Sequence, residues 1–506
     1  MNVEPFKEYI RNIKKTIKVD IYNIINVTLI SNPYITKFPK KFLFKEKSKE
    51  NRTLLFIKST TKFYLKQFYL FITYSIGFVL FKFFYKKRKA NLEESILIDI
   101  FLLVDNIKKD GEFKENYLLT LYEVLEKYNK KYVFLPRLYG VNKNPFKLIA
   151  FFEIINQDKR DFLFEFELLS LKNFIDIFMM IVIYPFKTLR LIQKDELFDT
   201  ELIRDIEKQS FEAFSRYIFG KNISKRKGFN KIYSWSEFQV VERSFNYGIR
   251  IKNSNIELIA CQFYLSYETY FNTYIDDIDF DMLSSPHKVL VNGEYYILDR
   301  ESIKYFKGVA LRYKDIFKFS KDKEKNGVLL LGSYIEKDTK YMLDSVGSFA
   351  RVLFKNHPAV DINKFGKLEK NIRVVDSNIY ELFKDSNLVI GTASGTAVEA
   401  VTCGLSVIII ASQDNLTANP LVDYGKGKIW DIAFNKDDIE KLYNKLLKYR
   451  EENIIEIEEI AFWYRDNFFV ESTEENIVKV FELGRNKLDE KNISNGWSRV
   501  YRKSPL

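Results

Sequence analysis

The sequence predicts an α/β fold built from two Rossmann-like domains facing a cleft, and three observations carry that prediction. Asn387–Ser412 reads apolar run, small-residue turn, helix pattern, apolar run, which is a βαβ unit with parallel strands. From Glu94 onward, buried-strand patterns alternate with amphipathic helix patterns. A length of 506 residues with 46% hydrophobic and 29% charged residues suits two or three packed domains and argues against disorder.

Taken in order, residues 1–63 are basic, with no clear topology. Residues 64–89 follow, charge-free from Gln67 to Phe81 and then rich in lysine. A spanning helix needs about 20 apolar residues, so this run fits best a helix lying in a membrane surface. A buried core helix and a true span are the alternatives. Glu94–Asp105 reads as a buried strand, and 113–129 as a helix with Tyr117, Leu118, Leu121, Val124 and Leu125 on one face. A strand at 131–140 and a helix opened by Pro145 come next. Residues 171–192 form a second apolar helix, and 195–217 a long charged helix solvated on one face. A helix ending at Gly248 and a strand at 256–264 complete the first domain.

Turn chemistry at Ser285-Pro286 and Asn292-Gly293 marks a linker, with His287 in a structural or solvated role. The second domain opens with the strand at 327–333. A helix over 339–354, the His357-Pro358 loop, a strand near 372–377, a short helix and the βαβ unit follow. Ser472 and Glu475 have capping-box spacing near the C-terminus. The expected boundaries are 1–90, 91–285, 286–325 for the linker, 326–485 and a 486–506 tail.

The net charge is +12, but residues 1–90 carry 20 Lys/Arg against 5 Asp/Glu, so the remainder is net −3. A basic segment of this kind favours an anionic membrane surface. The acidic remainder argues against nucleic acid as the main partner. High Phe (46) and Tyr (32) fit a compositional bias, and are not read as base-stacking platforms. Two cysteines suit a reducing compartment without disulfides or structural zinc. Residues 1–15 lack an early apolar stretch, so no signal peptide is expected.

Ser394, Gly395 and Thr396 stand where a helix starts. Unpaired amides and the positive end of the helix dipole suit a phosphate there. The same turn also fits a plain capping box between Thr396 and Glu399. His357 is one of two histidines, and Pro358 biases it to extended backbone. Together, "KNHP" at 355–358 and "ASGTAVEAVTCGLSVII" at 393–409 resemble the donor domain of GT-B glycosyltransferases of bacterial capsule and lipopolysaccharide synthesis, of the polysialyltransferase-like and polyol-phosphate-transferase-like kinds. The resemblance covers roughly 327–421 and leaves the acceptor half without a motif.

That resemblance implies a GT-B-like fold and donor phosphates held by Lys355, His357, Ser394, Gly395 and Thr396, with Glu399 on the ribose. It implies a nucleotide-sugar donor, a glycan or lipid-linked acceptor, no cofactor and no metal. It also implies a peripheral location on the cytoplasmic face of the bacterial inner membrane. "DDIDFD" at 276–281 is read as an acidic loop without a metal role. His357 is a candidate catalytic group, and Asp99, Asp105 and Glu242 are candidate general bases from the first domain. Transfer of a polyol phosphate from a CDP donor by the same fold, and a non-catalytic membrane-surface protein, are the competing readings.

Overall fold

The structure, a computed structural model, describes residues 2–48, 50–86, 90–103, 112–139, 144–252, 255–320 and 327–484. Asp105 and the 486–506 tail lie outside the described residues.

The first sheet has seven parallel strands: β1 (Ile96–Leu103), β2 (Tyr132–Tyr139), β3 (Asp161–Phe162), β4 (Lys231–Trp235), β5 (Glu257–Gln262), β6 (Lys288–Val291) and β7 (Lys304–Lys307). Their order is β3-β2-β1-β4-β5-β6-β7. The second has six: β8 (Val328–Leu331), β9 (Val352–Lys355), β10 (Ile372–Val374), β11 (Leu388–Gly391), β12 (Ser406–Ile410) and β13 (Trp430–Ala433). Their order is β10-β9-β8-β11-β12-β13. All ladders are parallel, and central strands such as β11 and β12 are buried throughout, as unbroken apolar runs require. Two Rossmann-like sheets in sequence make the GT-B-like architecture. After the helix Ile454–Phe468 the chain crosses back to the first domain. Val470 donates to Asn292 O at 2.7 Å, and Glu474 pairs with Lys127 at 2.6 Å.

Several expectations change. The stretch 286–325, expected as a linker, supplies β6 and β7. Gly293 there is not simply a turn residue. A Cβ on it would sit 2.4 Å from the Phe468 carbonyl carbon, so glycine lets the returning chain pass. The helix expected over 339–354 is Glu336–Ser345 followed by β9, so His357 follows a strand. The helix expected over 113–129 begins at Leu119 because the Glu115 carboxylate takes the Tyr117 and Leu118 amides. At the C-terminal helix the cap is Thr473, which accepts from Asn476 N, rather than Ser472.

The segment 1–90 is also not one appendage. Phe6, Ile10, Ile13, Leu29 and Phe38 form a core with Phe198, Leu202, Phe271 and Leu416. The helix Arg52–Phe84 buries Ser59, Phe63, Gln67, Tyr74, Gly77 and Phe81 along one stripe against the first domain. Its basic charge is partly spent internally: Lys41 pairs with Glu201 at 2.8 Å, Arg52 with Asp199 at 3.0 Å and Lys62 with Glu207 at 2.9 Å. The long charged helix expected over 195–217 is therefore neither solvated nor continuous. It is Glu196–Arg204 and Glu212–Ile223, with Asp199, Glu201 and Asp205 buried between them and the N-terminal segment.

Gly248 lies inside the helix Val240–Arg250 rather than ending it. It faces Gly220 on the helix Glu212–Ile223, and a Cβ on Gly248 would meet Tyr217 O at 2.4 Å. Only two glycines allow the backbones to approach this closely. Gly248→Val is expected to cost about 3 kcal/mol or more, read as a lower urea midpoint with an unchanged slope.

Candidate active site

In an open parallel sheet, ligands bind outside the C-terminal strand ends, where the strand order reverses. In the second sheet that point lies between β8 and β11. The loops leaving these strands are Gly332–Ile335 and Thr392–Gly395. The His357 loop leaves β9, on the far side of β8. His357 and the Ser394 turn therefore share one edge of the sheet, two strand spacings or about 10 Å apart. Thr392 Oγ1 and Asn356 Oδ1, flanking this crevice, are buried without a hydrogen-bond partner among the described residues.

His357 is half-buried, and its Nδ1 accepts from Ala359 N at 3.1 Å. Burial lowers its pKa from the ordinary value, so at neutral pH it is an uncharged imidazole. With Nδ1 accepting, the proton belongs on Nε2, which is then a donor. Its ring meets Tyr334 edge-on at 5.8 Å, and Tyr334 meets Tyr34 of the N-terminal segment at 4.8 Å. Lys355 turns away from the crevice: its ammonium donates to Ser377 O at 2.9 Å.

Ser394 Oγ accepts from Thr396 N, and the helix it opens, Thr396–Thr402, is seven residues long with Gly395 at its N-cap. Ser394 N and Gly395 N have no acceptor among the described residues. Ala393 sits at φ +49°, a strained conformation for a residue with a Cβ. A Cβ on Gly395 would lie 2.8 Å from Leu265 Cβ, so the glycine also lets the first domain approach this turn closely. Glu399 does not close a capping box. It is buried, accepts from Tyr380 Oη at 2.7 Å, and has its pKa raised by burial.

The candidate bases of the first domain are occupied. Asp99 is fully buried on β1, its carboxylate bonded by Arg216 at 2.8 Å and Ser234 Oγ at 2.7 Å, with Arg137 at 3.5 Å. Glu242 is buried with one oxygen on Arg137 and the other on Gln239 N at 2.9 Å. Each carboxylate is buried and held by arginine, which gives both a structural role in this domain. His287 Nδ1 accepts from Leu258 N at 3.0 Å, a structural role.

Two residues that the sequence reading did not single out stand at the corresponding place in the first sheet, between β1 and β4. Glu237, two residues past the end of β4, is half-buried. The sole donor to its carboxylate among the described residues is Trp235 Nε1 at a long 3.4 Å. Burial, and then the neighbouring Glu242, raise its pKa. Arg312 is exposed, with its guanidinium 5.3 Å from the Trp235 ring and 5.7 Å from Tyr117, and has no carboxylate at ion-pair distance among the described residues. Its charge acts on Glu237 and Glu115 of the first domain and on Glu399 of the second. No motif marked either residue. A carboxylate just past a strand at the point of order reversal was the available signal, and it required the strand order.

No protein-family model matches the chain, and no curated protein matches it by sequence. Among solved structures, UDP-GlcNAc 2-epimerase from Neisseria meningitidis bound to UDP-GlcNAc is similar over 77% of this chain and 100% of its own, at 10% identity and TM-score 0.43. MurG of Acinetobacter baumannii covers 77% of this chain and 99% of its own, at 12% identity and TM-score 0.40. The wall teichoic acid polymerase TagF covers 87% and 99%, at 11% identity and TM-score 0.39.

Because Asp99 holds two buried arginines, its removal strands charge. Asp99→Ala is expected to lose about 3–5 kcal/mol of stability in urea denaturation, as a broken buried pair does. A folded, fully stable variant would show that the cluster is not what holds the strand ends.

Proposed function

We propose that the protein is a glycosyltransferase that moves a sugar from a nucleotide-activated donor to a surface glycan or lipid-linked acceptor. The observation that carries this reading is the facing of the two strand-reversal points across one cleft. On one side stands a carboxylate with an open oxygen, on the other a crevice with open amides and orphaned polar atoms. The donor diphosphate would rest against Ser394 N, Gly395 N and the His357 Nε2–H, with Glu399 toward the ribose and Arg312 over the developing charge. Lys355 is a weaker candidate, since Ser377 already holds it.

In the transfer, Glu237 takes the proton of the acceptor hydroxyl as that oxygen bonds to the anomeric carbon. The bond from that carbon to the donor phosphate breaks, and its electron pair leaves on the nucleotide diphosphate. Fixed N–H dipoles and the Arg312 cation meet the charge where it appears. A base must be ionised to act, so the rate falls as pH drops through the Glu237 pKa. Burial raises that pKa, which places the acid limb above the ordinary carboxylate range.

Purified protein is assayed with radiolabelled nucleotide sugars and CDP-polyols against a lipid-linked acceptor. Glu237→Gln is expected to lower kcat by about 10²–10⁴-fold, abolish the acid limb and leave donor-induced thermal stabilisation intact. Stabilisation and turnover by a CDP-polyol instead of a nucleotide sugar would move the reading to polyol-phosphate transfer. Full activity in both Glu237→Gln and His357→Ala would defeat the site.

We also infer peripheral attachment to an anionic membrane, through a face different from the whole of 1–90. The helix Arg52–Phe84 leaves Leu54, Leu65, Ile72 and Phe83 more than half exposed, and the packed helix Leu171–Thr188 adds Leu171 and Ile175. Phe68 stacks on Phe178 between them, so the two helices form one apolar surface. Lys82 lies over the Phe78 ring at 5.0 Å, an amphipathic side chain suited to a headgroup boundary. Ile72→Glu with Ile175→Glu is expected to abolish sedimentation with anionic vesicles while leaving the melting temperature within about 2 °C, because neither side chain is in the core.

A further inference from the structure

A cavity of about 340 Å³ lies beneath the helix Glu4–Thr16, between it and the first domain. Phe6, Ile10 and Ile13 of that helix face the core, which puts Lys7, Arg11 and Lys14 together on a second face, at i, i+4 and i+7, lining the cavity. Arg243, from the helix after β4, and Arg300, just before β7, converge on the same space. Five cations from three separate parts of the chain thus share one cavity.

Their compensation is incomplete. Lys7 has Glu4 at 2.7 Å, while Lys14 and Arg243 share the single carboxylate of Asp279 at 2.8 and 2.5 Å. Arg11 reaches Asp276 only at 3.5 Å. Arg300 bonds two backbone carbonyls, Ile275 O at 3.0 Å and Asp299 O at 2.9 Å. With Asp277, whose carboxylate the Arg300 cation stabilises, four carboxylates stand against five cations and leave an excess of one positive charge around a space of small-ligand size. An ordinary docking of a basic helix on an acidic loop would need Lys14 and Arg11 on Asp279 and Asp276. It does not account for Arg300, which acts on Asp277 without a carboxylate at ion-pair distance among the described residues, nor for a cavity left open between them. Such a site concentrates anions through its field and holds phosphate through charge-assisted, forked hydrogen bonds from arginine.

We propose that this cavity binds a phosphate-bearing anion, independently of the donor crevice. The proposal does not depend on glycosyl transfer. The stretch Leu265–Asp276 runs from Gly395's contact to the cavity wall, so the site flanks the cleft on the first-domain side. A phosphorylated end of an acceptor and a phospholipid headgroup share this chemistry.

Calorimetry on the full chain with pyrophosphate at low salt tests it. Arg11→Gln with Arg300→Gln is expected to weaken binding by about tenfold or more. Glu4→Gln is expected to tighten it, because it removes a lining carboxylate, and a misfolded variant cannot mimic that gain. His357→Ala is expected to leave it unchanged. Vesicles containing phosphatidic acid, against neutral vesicles, distinguish the sources: weaker vesicle binding by the double variant points to a headgroup, and weaker pyrophosphate binding alone to a soluble phosphate. Wild-type affinity in a double variant with unchanged melting temperature overturns the proposal. So does pyrophosphate binding that His357→Ala abolishes.

Discussion

Leu265, in the loop that follows β5, lies so close to the turn after β11 that a side chain on Gly395 would come within 2.8 Å of it, and Tyr267 Oη from the same loop donates to Ala393 O at 3.2 Å. This contact brings the C-terminal ends of the two sheets together. It explains why the turn carries small residues and why Ala393 tolerates a left-handed backbone: the surrounding packing over-determines it. The cleft, the position of Arg312 and the proximity of the two strand-reversal points all depend on that approach.

Charge then divides the cleft into parts that are saturated and parts that are not. Asp99, Glu242, Arg137 and Arg216 neutralise one another in the first domain's core, where a lone charge would be costly. Glu237, just past the end of β4, and Arg312, beyond β7, lack that full set of partners. That difference in bonding separates them from the saturated cluster beneath.

The N-terminal segment is part of the body of the protein. Tyr34 packs between Tyr270 of the first domain and Tyr334 of the second, and Leu416 of the second domain enters the core formed by Phe6, Phe38 and Phe198. Part of its positive charge is matched by Asp199, Glu201 and Glu207, and Lys7, Arg11 and Lys14 of its first helix line the cavity beneath that helix.

The apolar runs from Ile96 and from Asn387 to Ser412 made the two parallel sheets legible, since a strand buried on both faces has no alternative composition. The shared edge of the His357 and Ser394 loops was not legible in the same way: the sequence placed a helix directly before His357, and only β9 puts that loop at the C-terminal end of a strand. Nor were roles that depend on what a side chain meets. Asp99 and Glu242 stood as candidate bases, and only the fold brings Arg137 and Arg216 to them from distant parts of the chain; the approach of Leu265 to Gly395 was equally absent from the local sequence. Periodicity and propensity act over a few residues, and so determined the apolar strands and the amphipathic helices. Pairing of buried charge and close backbone approach act between residues more than a hundred positions apart, and only the tertiary structure decided those.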